Sequence, residues 1–181
     1  MSTDKPFILG LQEDVPHIDE TAWVAPGAHV VGQVEIGAES SVWYGVVVRA
    51  DREIVRIGKK VNIQDLACLH SDPGEPVVLE DGVSVGHQAV VHGAHIGAGA
   101  LIGIGAIVLG GAQVGSGALV AAGALVRPGQ VIPAGYMAAG VPARVVRELA
   151  EEERETFAQT AETYAETRLL HANAIVDRIQ V

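Results

Sequence analysis

A six-residue period runs through most of the chain and restricts its possible folds more than any other feature. From residue 96 to residue 137, seven hexads follow one another without a break, beginning IGAGAL, IGIGAI and VLGGAQ. Each hexad starts with an aliphatic residue and usually carries small residues at its second and fifth positions. The same phase recurs upstream from residue 24, with irregular stretches at 51–56 and 71–78, giving 18 hexads or six coils.

A period of six is too short for a helical solenoid, and it is similar to the hexapeptide repeat of parallel β-helices. This similarity implies a left-handed prism with three faces and three hexads per coil, a handedness opposite to that of ordinary strand crossovers. The residues themselves indicate that one aliphatic side chain per hexad points inward, so that stacked coils bury a continuous column. We therefore predict an all-β solenoid, a left-handed parallel β-helix, over residues 1–140.

The repeat stops near residue 140, and residues 141–181 have a different pattern. Glutamates now separate apolar residues at helical spacing, namely Leu149, Phe157, Ala161 and Tyr164. This pattern predicts a helix over about residues 148–172 that packs its apolar stripe along the prism. The pattern leaves open whether residues 171–181 continue the helix or leave it.

The charge and cysteine content limit the partners and the compartment. Twelve basic residues against 22 acidic residues give a formal charge of −10, which argues against nucleic acid or an anionic membrane as the main partner. Cys68 is the one cysteine, so no intrachain disulfide can form, as is typical of a cytoplasmic protein. No apolar run reaches the roughly 18 residues of a membrane span, and we expect no membrane partner.

The histidines in VGHQAVVHGAH (85–95) have an unusual spacing. His87 and His92 are five residues apart, which matches neither the period of a helix nor that of a strand. In a coil of three hexads, every third hexad lies on the same face. One column on this face then contains Arg49, His70 and His92. A column belonging to the preceding face contains Tyr44, Asp65 and His87.

The columns predict a metal site shared between subunits. His70 and His92 lie about 4.8 Å apart, as neighbouring strands do, and can bind one ion. His87 belongs to another face of its own chain and can join them only from another subunit. A cyclic homotrimer is the natural closure of such contacts. Three imidazoles leave the fourth zinc position open, which is the pattern of catalytic zinc.

Two segments resemble the γ-class carbonic anhydrases and their bacterial homologues: VVVRADREIVRIGKKVNIQDLACLH (46–70) and VGHQAVVHG (85–93). The resemblance covers nearly the whole chain, including the C-terminal helix. It implies that His70, His87 and His92 bind Zn²⁺, with Fe²⁺ or Co²⁺ as alternatives in the cell. It also implies zinc-hydroxide hydration of CO2 to bicarbonate at the trimer interface.

The resemblance further implies roles for five other residues. Gln64 hydrogen-bonds the metal-bound hydroxide, and Arg49 pairs across the subunit interface with Asp65. Asp51 helps to order the site, and Tyr164 matches a tyrosine that the terminal helix lays over the pocket. Two alternatives remain open: a purely structural Arg49–Asp65 pair, and ordinary helix packing by Tyr164.

The chain departs from the best-studied branch of that family in two places tied to proton transfer. The acidic loop after the first histidine is here the short SDPGEP (71–76), and Arg52 takes the place of a glutamate next to the Arg-x-Asp motif. Glu53 and Glu75 are the nearby acidic groups that could substitute. Without a proton shuttle the hydroxide regenerates slowly, so we expect CO2 hydration that is weak, absent or dependent on conditions.

Two other functions compete with this interpretation. A hexapeptide acyltransferase, or a hydrolase of coenzyme A thioesters, would use a histidine as general base and would keep its activity after chelation. A non-enzymatic assembly module would use the metal only to join the subunits, so chelation would dissociate the trimer without abolishing turnover.

Overall fold

The computed structural model describes residues 5–174, which form a three-sided coil of parallel strands followed by one helix. The predicted left-handed parallel β-helix with a C-terminal helix is confirmed. Residues 1–4 and 175–181, at the outer ends of the two predicted segments, lie outside the described residues. The strands and the helix are β1 (Phe7–Leu9), β2 (His17–Ile18), β3 (Trp23–Val24), β4 (His29–Ile36), β5 (Ser41–Val42), β6 (Val47–Ile57), β7 (Asn62–Ile63), β8 (Cys68–His70), β9 (Val77–Leu79), β10 (Ser84–Val85), β11 (Val90–His92), β12 (His95–Ile96), β13 (Leu101–Ile102), β14 (Ile107–Val108), β15 (Gln113–Val114), β16 (Leu119–Val120), β17 (Leu125–Val126), β18 (Val131–Ile132), β19 (Tyr136–Ala139), β20 (Arg144–Glu148) and α1 (Glu151–Ala172).

Each face of the prism is a stack of seven parallel strands. The first face contains β1, the start of β4, the start of β6, β8, β11, β14 and β17. The second face contains β2, the ends of β4 and β6, β9, β12, β15 and β18. The third face contains β3, β5, β7, β10, β13, β16 and β19. The structure therefore has one coil more than the six counted from the hexads. Its additional strands are β1 and β2, which precede the first hexad at residue 24, and β19, which follows the last hexad's inward residue.

The inward column of aliphatic side chains holds the coils together. Val48, Leu69 and Val91 pair in register on the first face, and all three are 0% exposed. Burying such side chains contributes about 1.5–3 kcal/mol each relative to exposure. The irregular stretch at 51–56 forms a bulge at one corner of the prism, where the pairing of β4 with β6 shifts from Gly32↔Ala50 to Val34↔Val55. The inward residues of the first face stay aligned on either side of both irregular stretches.

The corners explain why glycine recurs in the hexads. A Cβ at Gly103 would lie 2.6 Å from the backbone nitrogen of Ala122 in the next coil. Gly105, two residues later, has φ +64°, a conformation that costs glycine little. Close stacking of the turns therefore requires a missing side chain at one position and a left-handed backbone at another.

The C-terminal segment adds a strand that the sequence pattern did not predict. β20 returns antiparallel to β19 and so covers the end of the third face. The helix α1 then begins at Glu151, three residues after its predicted start, and ends at Ala172. Glu153 accepts a hydrogen bond from the backbone N–H of Ala150 at 2.9 Å, which satisfies one free donor at the helix start.

The helix packs along the third face. Its buried residues are Ala161, Ala165 and Arg168, and it contacts β5, β7 and β10. The Nε of Arg168 donates a hydrogen bond to the backbone carbonyl of Glu39 at 3.1 Å, which links the helix to a corner of the prism. Among residues 5–174, no helix has both the length and the apolar character that crossing a membrane requires.

Replacing a leucine in the inward column will destabilise the fold far more than the same change on the helix surface. Leu69→Ala removes a side chain that is 0% exposed, so we expect the free energy of unfolding to fall by about 2–5 kcal/mol. Leu170→Ala is the matched control, because Leu170 is 74% exposed, and its effect should stay within about 0.5 kcal/mol. Guanidinium unfolding at one fixed protein concentration measures both, and equal effects would contradict the packed column.

Candidate metal site

The predicted column of Arg49, His70 and His92 is present on the first face. The three residues pair in register on β6, β8 and β11. Nδ1 of His70 lies 3.0 Å from Nε2 of His92, and the two rings are 5.0 Å apart between centroids. Two ligands of one tetrahedral zinc ion, each at 2.0–2.1 Å, are roughly 3.3 Å apart. The pair therefore has nearly the separation that a shared ion requires.

A carboxylate holds His70 in the orientation that this pairing needs. Nε2 of His70 donates to Oδ1 of Asp51 at 3.1 Å, which leaves Nδ1 as the ring nitrogen with a free lone pair. Nη1 of Arg49 donates to both oxygens of Asp51 at 2.6 Å. Burial alone would raise the pKa of Asp51, but the hydrogen bonds from Arg49 and His70 outweigh it, so this pKa lies below its ordinary value.

His87 lies at the opposite edge of the same face. It occupies the corner before β11, whereas His92 ends β11. Nδ1 of His87 lies 2.9 Å from Oδ2 of Asp65, an ion-pair contact that leaves Nε2 available to bind a ligand. His70 and His87 are thus each oriented by an aspartate, the arrangement typical of metal-binding histidines. Within the described chain, the cluster of close donor atoms around His70 and His92 does not include His87.

Gln64 lies in the corner below His87 and belongs to a buried polar network. Its Nε2 donates to Oδ1 of Asn62 at 3.0 Å, and Nδ2 of Asn62 donates to Oγ of Ser84 at 2.7 Å. All three side chains are buried. Because the amide nitrogen of Gln64 is engaged, its carbonyl oxygen remains the group that can accept a hydrogen bond at the site.

Tyr164 comes from α1 and lies at the same corner as Asp65. Its ring packs edge-on against Trp43, with centroids 5.3 Å apart. Burial raises the pKa of Tyr164, and the negative charge of Asp65 raises it further. The phenol therefore stays protonated near neutral pH and can donate a hydrogen bond.

Asp72 joins the histidine pair and was not among the predicted site residues. Its Oδ2 lies 3.7 Å from Nε2 of His92, and the donor atoms of His70, Asp72 and His92 all lie within 4.8 Å of one another. The sequence contains a usable signal, since Asp72 precedes a Pro-Gly pair, which favours a tight turn directly after His70.

The two acidic residues suggested as proton shuttles point elsewhere. The carboxylate of Glu53 accepts hydrogen bonds from the backbone N–H groups of Ile54 at 3.2 Å and Gly74 at 3.3 Å. The side chain of Glu75 lies over Gly93 and Gly110, where a Cβ would collide with its carboxylate. Neither carboxylate belongs to the close donor cluster with the histidine pair.

Comparisons with known proteins identify the family to which the chain is similar. The family model "Bacterial transferase hexapeptide (six repeats)" matches residues 93–128. The chain is 51% identical to a protein named probable carbonic anhydrase from Methanocaldococcus jannaschii, over 81% of this chain and 92% of that protein. It is also 51% identical to the uncharacterized transferase YtoA of Bacillus subtilis, over 88% of this chain and 94% of that protein.

The chain belongs to the γ-carbonic anhydrase-like family of hexapeptide-repeat proteins. A crystal structure of a Bacillus cereus protein described as an acetyltransferase superposes with a TM-score of 0.90 at 41% identity, covering 92% of this chain and 96% of that one. Family membership implies a metal cofactor, and the donor set fits one. His70 and His92 converge in register, both His70 and His87 have aspartate partners, and each leaves a ring nitrogen for the ion.

The raised pKa of Tyr164 gives a direct test of this corner. The difference in absorbance at 295 nm between the wild type and Tyr164→Phe should titrate with a midpoint above the ordinary value of 10.0. Asp65→Asn removes a nearby negative charge. The absorbance difference between Asp65→Asn and Asp65→Asn combined with Tyr164→Phe should therefore titrate with a lower midpoint than in the wild type. A wild-type midpoint at or below 10.0 would contradict the placement of Tyr164.

Proposed function

We propose that this protein is a metal-dependent carbonic anhydrase of the γ type, which hydrates CO2 to bicarbonate at sites shared between the subunits of a homotrimer. One observation carries the proposal: the site residues divide into two groups at opposite edges of one face. The first half-site consists of Arg49, Asp51, His70 and His92. The second half-site consists of Gln64, Asp65, His87 and Tyr164. A cyclic assembly joins the first half-site of one subunit to the second half-site of its neighbour.

The surface between the half-sites supports a second copy of this chain as its cover. The outward column of the first face is apolar from β6 to β17: Val47, Cys68, Val90, Ile107 and Leu125. Burial raises the pKa of the Cys68 thiol, so this residue stays neutral. The matching column of the second face is mostly polar, with Arg56, Val78, His95, Gln113 and Val131.

α1 packs against β5, β7 and β10 of the third face, and the described chain has no second helix to cover the first face. An apolar stripe of this kind favours association with another protein surface. Since it runs between complementary half-sites, the partner that fits best is the same chain, rotated about a threefold axis.

The chain's own residues then divide the catalytic work. Arg49 keeps 45% of its side-chain surface exposed while Asp51 anchors it, and its guanidinium can bind the bicarbonate anion through paired hydrogen bonds. Gln64 offers its carbonyl oxygen to orient the nucleophile, and the protonated Tyr164 can donate a hydrogen bond to the substrate or product. Bound zinc would lower the pKa of its water ligand, which is about 7 in carbonic anhydrases.

Metal content and hydration should depend on the same histidine. His70→Ala should lower bound metal and CO2 hydration together, because it removes a ligand of the shared ion. The assays are metal analysis and stopped-flow hydration on anaerobically purified protein. His95→Ala is the matched control, since His95 pairs with Glu80 at 2.8 Å on the second face and should leave both readouts unchanged.

Two results would count against this function. Wild-type protein that binds no metal would remove it altogether. Protein that binds metal but does not hydrate CO2 would leave the metal as a link between subunits.

The apolar first face should control assembly. By light scattering, the wild type should have three times the chain mass of 18.8 kDa. Ile107→Asp places a charge in the middle of the stripe and should dissociate the trimer and abolish hydration, because the half-sites then separate. Val131→Asp is the matched control on the second face, where Val131 is 60% exposed. A trimer that survives Ile107→Asp would place the interface elsewhere.

A transferase function is the second candidate, and the names of two similar proteins favour it. Such an enzyme would use a histidine as general base without a metal. Acetyl-coenzyme A turnover that survives complete chelation would support it, whereas hydration lost on chelation and restored by metal supports the carbonic anhydrase function.

A further inference from the structure

Asp72 is the described carboxylate that reaches the histidine pair and that the proposed function does not use. Its carboxylate lies 3.7 Å from Nε2 of His92, and this nitrogen lies 3.0 Å from Nδ1 of His70. The three donor atoms belong to one chain and to two neighbouring coils. Asp51, the other nearby carboxylate, is occupied by Arg49 and by the opposite nitrogen of His70.

The short loop after β8 fixes the position of Asp72. Residues 72–75 form a tight turn in which the N–H of Glu75 donates to the carbonyl of Asp72 at 2.8 Å, and Gly74 has φ +77°. A proline in the second position and a glycine with positive φ in the third are the features of a type II turn. Ser71, just before the turn, is fully buried and its hydroxyl donates to the backbone carbonyl of Glu53. The turn therefore has little freedom to carry Asp72 away from the histidines.

We propose that Asp72 is a metal ligand, and that His70, Asp72 and His92 form a three-ligand site within a single chain. This inference rests on the proposed function for the identity of His70 and His92 as ligands. It adds that one subunit can take up its divalent metal before a neighbour supplies His87. Two imidazoles and one carboxylate are a ligand set used for divalent zinc and iron in proteins.

The site differs from the shared one in what it requires. The shared site needs a neighbouring subunit, because His87 lies at the far edge of the face. The intrachain site needs only the register of β8 and β11 and the turn that follows β8. Metal uptake and assembly are therefore separable, and a chain without His87 still binds metal.

The test removes His87 and asks whether metal still binds. Full-length wild type, His87→Ala, and His87→Ala combined with Asp72→Asn are titrated with Co²⁺, with visible absorption and mass spectrometry as readouts. His87→Ala should retain one Co²⁺ per chain with an altered absorption spectrum. The added Asp72→Asn should weaken Co²⁺ binding by about tenfold or more, since even residues that only support a ligand contribute that much.

A matched control distinguishes the loss of Asp72 as a metal ligand from the loss of a negative charge in the turn. Glu75→Gln in the His87→Ala background removes a carboxylate from the same turn, but one that packs against Gly93 and Gly110, and it should leave Co²⁺ affinity unchanged. Circular dichroism of every variant shows whether the solenoid still folds.

The possible outcomes test the role of Asp72 and the shared-site function separately. Loss of all Co²⁺ binding in His87→Ala, equal affinity in His87→Ala and the double variant, or an equal loss with Glu75→Gln overturns the role of Asp72. If His87→Ala has the affinity and spectrum of the wild type, then His87 is not a ligand and the shared-site function fails. In that case the double variant still tests Asp72 by itself.

Discussion

The register between stacked coils is the constraint on which the rest of this structure depends. Backbone hydrogen bonds join each strand to the strand one coil away, and the inward aliphatic residues, such as Val48, Leu69 and Val91, keep that pairing from slipping. A slip of one residue would turn every side chain to the other side of its strand. His70 and His92, 22 residues apart in sequence, meet because the register is kept across an irregular loop.

The register also gives the three faces different characters. On the third face, the outward residues Ser41, Asn62 and Ser84 lie under α1, where hydrogen bonds satisfy them. On the first face, the outward column from Val47 to Leu125 is apolar and runs between the two half-sites. One periodic backbone therefore presents one surface to its own helix and a different, apolar surface that we propose faces a neighbouring subunit. The residue types at the outward hexad positions determine this difference.

The repeat, the columns and the helix could be predicted from the sequence because they depend on periodicity. The pairing of Arg49 with His70 and of His70 with His92 follows from counting hexads, provided that the loops do not change the corner count. The strands β1, β2 and β20 could not be predicted, since none of them carries the hexad pattern. β1 and β2 are defined by pairing with β4, and β20 by antiparallel pairing with β19. Asp72 was overlooked because its contact with His92 depends on the shape of a four-residue turn.

By itself, the sequence determined the solenoid, the inward column and the alignment of the histidines, because a strict period leaves the chain few ways to bury its aliphatic residues. Only the tertiary structure decided which carboxylate serves which histidine. Asp51 reaches His70 and Asp65 reaches His87 through side-chain rotamers and corner geometry, and Asp72 approaches His92 through a turn. Those contacts depend on angles and distances of a few ångströms, which a periodic pattern of residue types does not specify.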